Sequence, residues 1–205
     1  MLRTIARASL LMILAFSAVA QTATPQAPAA PAKKQLRQPD VIFVPTPEQV
    51  VDAMLTVAKV GKGDVLYDLG SGDGRIPIRA AQKYGVERAI GIDINPDRIK
   101  EANENLAKAG VGKRVRFINA DLFQAKLSDA TVITLYLLPA LNLKLLPKLL
   151  KETKPGTRVV SHAFDMGTWK AEQTLDVEGR NVYFWTIPAP GTPAYEAAMA
   201  AAQGK

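Results

Sequence analysis

Seven consecutive residues, Asp68-Leu69-Gly70-Ser71-Gly72-Asp73-Gly74, carry the densest chemical signal in the sequence. Glycines at alternate positions let the backbone turn tightly and leave no side chain between its N–H groups and a ligand. The spacing is G-x-G-x-G, whereas the dinucleotide fingerprint is G-x-G-x-x-G. The sequence G-x-x-x-x-G-K-[ST] is absent, which excludes a P-loop. Asp68 and Asp73 flank the turn with negative charge, which disfavours a pyrophosphate and suits a ligand with cationic groups. About twenty residues further on, Asp93 is placed to accept hydrogen bonds from both hydroxyls of a ribose. Asp121, followed by Leu122, can reach the edge of a base. The loop and its acidic companions together describe a nucleoside site.

Other chemically capable residues are more ambiguous. Tyr136 closes an apolar run and either shapes an acceptor channel or packs a strand end. Thr46 either caps a helix or contacts the ligand. His162 is the only histidine and reads as a packed or hydrogen-bonded residue rather than a base. Trp169 and Trp185 read as core or edge packing. No His/Asp/Glu cluster has metal-ligand spacing, so no metal is expected. The absence of cysteine excludes disulfides, thiolate metal sites and a thiol nucleophile.

Alternating elements must position these residues. Thr46 with Gln49 has the form of a capping box, with Pro47 at the first helical position and Val50, Val51, Met54, Leu55 and Ala58 at helical spacing. Strands are expected at 65–67, 89–92, 115–118, 131–136 and 158–161, and helices at 76–83, 96–109 and 140–153. Pro147 is expected to break or restart the last of these helices. Near-continuous apolar strands alternating with helices argue for a doubly wound α/β fold with a mostly parallel sheet. Segments 173–177 and 181–187, separated by Glu178-Gly179-Arg180, read as a C-terminal antiparallel hairpin. In such sheets ligands bind beyond the carboxyl ends of the strands, at a switch point, which is where the glycine loop falls.

The 205 residues suit one domain with accessory segments. Residues 1–20 have the form of a signal peptide: Arg3 and Arg7, an apolar run, then Ala18-Val19-Ala20 as a cleavage site. The run is too short for a stable transmembrane span. The expected location is therefore outside the cytoplasm, in the periplasm, with a cytoplasmic or N-terminally anchored enzyme as the alternative. Residues 21–39, rich in Ala, Pro and Gln, read as a disordered linker. Residues 40–188 form the domain, and 189–205 an Ala-rich tail with a possible short helix. The net charge of +7 fits a lysine-rich solvated surface or attraction to an acidic partner. Lys33-Lys34 and Lys113-Arg114 are small pairs and no dense basic run interleaves with aromatics, so no nucleic-acid partner is expected.

The segment from Asp68 to Gly74 resembles motif I of the class I, seven-stranded methyltransferases that use S-adenosylmethionine (SAM). Asp93 matches their ribose-binding acid, and Asp121 with Leu122 their adenine-contacting position. Val44-Pro45-Thr46-Pro47, Thr134-Leu135-Tyr136-Leu137-Leu138-Pro139, and the stretch from Lys154-Pro155-Gly156 to Ser161-His162 resemble a branch of protein-lysine methyltransferases. That branch includes a broad-specificity archaeal enzyme and mitochondrial enzymes acting on ATP synthase subunit c and the adenine nucleotide translocase. The resemblance covers residues 40–188. It implies a Rossmann-like seven-stranded sheet, SAM as cofactor and a protein lysine as acceptor. The cofactor-binding set it implies is Thr46, Asp68, Gly70, Ser71, Gly72, Gly74, Asp93, Ile94, Asp121 and Leu122, with Tyr136 the candidate for the acceptor side. Methylation of a small molecule on the same fold, or a non-catalytic module that binds SAM or its product, are the alternatives.

Overall fold

The computed structural model describes residues 36–39 and 42–204. The signal peptide and most of the linker lie outside the described residues. The elements run α1 (Glu48–Val57), β1 (Val65–Leu69), α2 (Arg75–Arg79), β2 (Arg88–Asp93), α3 (Pro96–Ala109), β3 (Val115–Asn119), β4 (Val132–Leu135), α4 (Pro139–Glu152), β5 (Arg158–His162), β6 (Gln173–Val177), β7 (Arg180–Thr186) and α5 (Pro193–Ala202). They build one seven-stranded sheet in the order β3-β2-β1-β4-β5-β7-β6. Strands β1 to β5 are parallel, and β7 pairs antiparallel with both β5 and β6. Glu178 and Gly179 both take positive φ, 53° and 77°, as a two-residue hairpin turn requires.

The strands sort their side chains by the period of two. Leu66, Val132 and Val160 face a core formed with α1 and α2; Tyr67, Leu69, Ile133, Leu135 and Val159 face another formed with α4 and α5. Leaving β1 the chain covers one face, and leaving β4 it covers the other. The crevice between these two strands is the switch point.

The structure differs from the sequence expectations in four places. Thr46 does not cap α1. The cap position is Pro47, no side chain bonds there, and the Thr46–Gln49 box does not form. The buried Thr46 hydroxyl instead meets Nδ1 of His162, at the end of β5, at 3.2 Å. Pro147 neither breaks nor restarts α4, which runs unbroken for 14 residues. The missing N–H costs one helical bond, and burial of Leu145, Leu146, Leu149 and Leu150 offsets it. The helix after the glycine loop is α-helical only through Arg79 and closes in a π-helical turn, Ala80–Tyr84. Finally, the Ala-rich segment beyond residue 188 forms the short helix the sequence allows, α5, and packs it onto the domain. Ala198 and Ala201 of α5 are buried in the core shared with α4.

Candidate active site

The glycine loop is stitched to the end of β2. Gly70 and Ser71 both donate their N–H to the Ile92 carbonyl, at 2.8 and 3.0 Å. Gly70, Gly72 and Gly74 all take positive φ, 86°, 52° and 81°. At Gly72 a Cβ would lie 2.2 Å from the Phe43 ring, and at Gly74 2.3 Å from the Phe117 ring. The glycines therefore serve both the turn and the close approach of neighbouring rings.

Asp93 closes β2 with both carboxylate oxygens engaged by backbone: Oδ2 accepts from Gly72 N at 2.9 Å and Oδ1 from Asn95 N at 2.8 Å. The carboxylate is thus fixed by the loop it supports, and it borders the cavity. Asn119 at the end of β3 donates to the carbonyls of Asp93 and Ile94, fixing that turn. Asp121 accepts from Phe123 N at 2.9 Å and from Arg37 Nε at 3.0 Å. Burial opposes its ionisation, but the Arg37 guanidinium and the Phe123 N–H outweigh burial and hold its carboxyl below the usual value. Arg37 belongs to the stretch read as linker, so the last linker residues reach the site.

The acids flanking the loop diverge. Asp73 borders the cavity with its charge already paired. It pairs with Arg75, whose Nη2 lies 2.6 Å from Oδ2, and Arg75 Nη1 also donates to the Thr46 carbonyl. Asp68 is buried with one polar side-chain partner, the Thr134 hydroxyl at 2.7 Å. Burial pushes its carboxyl up to about 7; the Thr134 hydroxyl opposes that, and the charges of Asp93 and Asp73 add to it. A cationic ligand group beside Asp68 restores its charge.

These residues line one cavity of about 720 Å³, within the usual size of small-ligand sites. Thr46, Asp68, Gly70, Ser71, Asp93, Ile94, Asp121, Leu122 and Tyr136 all border it. Gly72 and Gly74 stand behind, shaping the loop. Sequence reasoning missed several bordering residues, among them Arg37, Phe43 and Arg98. Arg37 sits in an Ala/Pro/Gln-rich stretch with no local pattern, Phe43 in an apolar run that forms no strand, and Arg98 on the outer face of α3. Arg98 lies over the Phe43 ring, 4.9 Å from its centroid. The one sequence signal that could have found Phe43 is its place directly before Val44-Pro45-Thr46-Pro47.

The cavity suits SAM on its own chemistry. Ser71 Oγ is buried without a hydrogen-bond partner, Asp68 is a buried acid short of cationic company, and Gly70 leaves the loop backbone uncovered. Apolar Phe43, Leu122, Leu137 and Leu141 supply the flat walls. Among the described residues no group of three or more His, Asp or Glu could hold a metal, and no helix is long and apolar enough to cross a membrane.

Comparison with known proteins agrees with this chemistry. The ANTKMT methyltransferase domain model matches residues 68–173. A protein-lysine N-methyltransferase of Saccharolobus islandicus is 48% identical over 153 residues, which is 73% of this chain and 95% of that protein. The adenine nucleotide translocase lysine N-methyltransferase of Mus musculus is 33% identical over 151 residues, 74% of this chain and 65% of that one. A crystal structure described as an RNA methyltransferase from Salinibacter ruber, in complex with S-adenosyl-L-homocysteine (SAH), is 56% identical with a TM-score of 0.71. That match covers 73% of this chain and 97% of the other. A nucleoside cavity at the switch point of a seven-stranded sheet, aligned with these relatives over nearly the whole described domain, places the chain in the ANTKMT methyltransferase domain family, a lysine-methyltransferase branch of the class I SAM-dependent methyltransferases.

Proposed function

We propose that the chain transfers the methyl group of SAM to the ε-amino group of a protein lysine. The observation that carries this reading is the 48% identity to an archaeal protein-lysine methyltransferase along 95% of its length. The cavity supports it. Asp93 would hold the ribose hydroxyls, Asp121 and Leu122 the adenine, and Asp68, Ser71, Thr46 and the Gly70 backbone the amino-acid end. Bound SAM supplies an electrophilic methyl on sulfonium, so the protein's task is to orient and desolvate the acceptor. A lysine ammonium entering over the end of β4 meets Tyr136, Leu137 and Leu141. Removing water from it lowers its pKa, and the proton leaves to solvent before transfer, without a dedicated base.

A second reading, an RNA acceptor, rests on the description of the Salinibacter structure and on the net charge of +7. One experiment separates them. The chain is incubated with tritiated-methyl SAM and whole-cell extract, and label is measured in the protein, RNA and small-molecule fractions. Methyl-lysine in acid hydrolysates is the expected product. Label confined to RNA supports the second reading. Label confined to small molecules rejects both, and SAH binding without any label means a non-catalytic binding module.

We also propose that the protein is exported, with residues 1–20 removed. The basic start, apolar run and Ala18-Val19-Ala20 support this. N-terminal sequencing from native cells should read Gln21 first; a chain beginning at Met1 overturns export.

A further inference from the structure

The two walls of the cavity come from distant parts of the chain. Thr46 precedes α1 and stands on the cofactor side, while Tyr136 follows β4 and stands where the acceptor enters. One side chain behind the lining touches both. His162, the last residue of β5, is buried. Its Nδ1 lies 3.2 Å from Thr46 Oγ1, and its ring centroid lies 3.9 Å from that of Tyr136, the planes tilted by 39°.

The backbone after His162 is bent to make this possible. Ala163 takes φ 64°, one of three positive-φ residues other than glycine among those described. Such a conformation is costly for a residue with a Cβ and persists only where surroundings impose it. Here Phe164 N donates to the His162 carbonyl at 2.8 Å. Buried Asn142 of α4 donates to the carbonyls of Phe164 and Asp165, at 3.2 and 3.1 Å. The turn delivers Phe164 against Tyr136, with ring centroids 6.2 Å apart and planes 24° from parallel. Tyr136 is therefore in ring contact with both His162 and Phe164.

We propose that His162 is a positioning residue for methyl transfer, fixing Tyr136 with its ring and Thr46 with its Nδ1, so that the acceptor wall and the cofactor wall stay in register. Only an imidazole offers an aromatic face and a hydrogen-bonding nitrogen within so small a ring. Burial, with the charge of Arg180 adding to it, pushes its pKa down to about 4, so the ring is neutral near neutral pH and a poor acceptor for a lysine proton. The role rests on the acceptor entering over β4, as proposed above.

Two substitutions divide the role. His162→Asn keeps a bonding atom near Nδ1 and removes the ring; His162→Phe keeps the ring and removes the bond. With the extract fraction that the wild type labels as acceptor, H162N should lower acceptor kcat/KM at saturating SAM by about tenfold and leave the SAH Kd within about threefold. H162F should raise the SAH Kd by about fivefold and leave acceptor KM within about threefold. A merely structural histidine would shift both quantities together with Tm. Proportional shifts in both variants, or none, overturn the proposal. In tyrosine-labelled protein, the Tyr136 ring resonance should move in H162N and hold in H162F; an unmoved signal in H162N overturns it whatever the extract yields. Label outside lysine would overturn the lysine reading and leave this split measurable on the fraction that takes it.

Discussion

At the amino ends of β1, β4 and β5 a buried carboxylate is answered by the protein itself. Asp64 accepts from Gly61 N, from the Thr131 hydroxyl at 2.7 Å and from Arg158, whose other terminal nitrogen bonds the carbonyls of Ala58 and Lys59. At the carboxyl ends of the same strands Asp68 has a single hydroxyl, and Ser71 Oγ has no partner. The residue types are alike. What differs is completion: the amino end is closed by internal bonds, and the carboxyl end keeps bonding capacity in reserve for a ligand. Unanswered buried polar groups cost stability, and at this edge the cost prepares a site.

Four measurements break or sharpen that contrast. The largest effect is expected for Asp93→Ala, which removes the acid proposed to hold the ribose and the brace on Gly72. The SAH Kd by calorimetry should rise about a hundredfold, roughly 3 kcal/mol. Near wild-type affinity would remove Asp93 from the ribose assignment. Asp64→Ala should behave oppositely, costing on the order of 3 kcal/mol in denaturant unfolding because Arg158 and Thr131 lose their shared partner. Its SAH affinity should be unchanged, and a large loss of affinity would dissolve the division between the two ends.

His162 tests the contrast from within the site, because it is a group at the carboxyl end that the protein does answer. Its pKa is about 4 when folded, against an ordinary 6.5. Across that window the unfolded chain binds the proton and the folded one does not, so its contribution to stability is intact above the ordinary value and falls as pH drops toward 4. Between about pH 7 and about pH 4.5, the wild type should lose roughly 2 kcal/mol more than His162→Phe. Equal losses would show that the ring is not held neutral. The smallest effect is expected for Ser71→Ala. Removing an unpartnered hydroxyl should change unfolding free energy by less than about 0.5 kcal/mol and weaken SAH binding about threefold. A clear drop in Tm would mean that the hydroxyl bonds within the protein.

Much of this site was legible before the fold. Strand, glycine turn, helix and acids at two strand ends are local patterns, since apolar run length, glycine placement and the first residue beyond each strand are set by neighbours in sequence. The succession of strands and helices along the chain, the hairpin at 173–187 and the span of α3 followed from the same signals; the order of strands within the sheet did not. The misreadings lie where a partner or a burial that the local pattern does not announce outweighs the one it does. Thr46 has every mark of a helix cap, yet bonds a histidine 116 positions away. Asp73 reads as cavity charge, yet Arg75 curls back to neutralise it. Pro147 should break a helix, yet buried leucines on either side hold it.

The sequence by itself determined the fold class, the place of the cavity and acids that border it, because each follows from glycine placement and from the residues that end each strand. Tertiary structure alone decided which acids remain available, how Arg37 and Phe43 reach the cavity edge, and that Tyr136 and Thr46 share one histidine. Those outcomes depend on which groups meet across the sheet's carboxyl edge. Burial and desolvation there belong to the assembled surface and are carried by no segment of the chain alone.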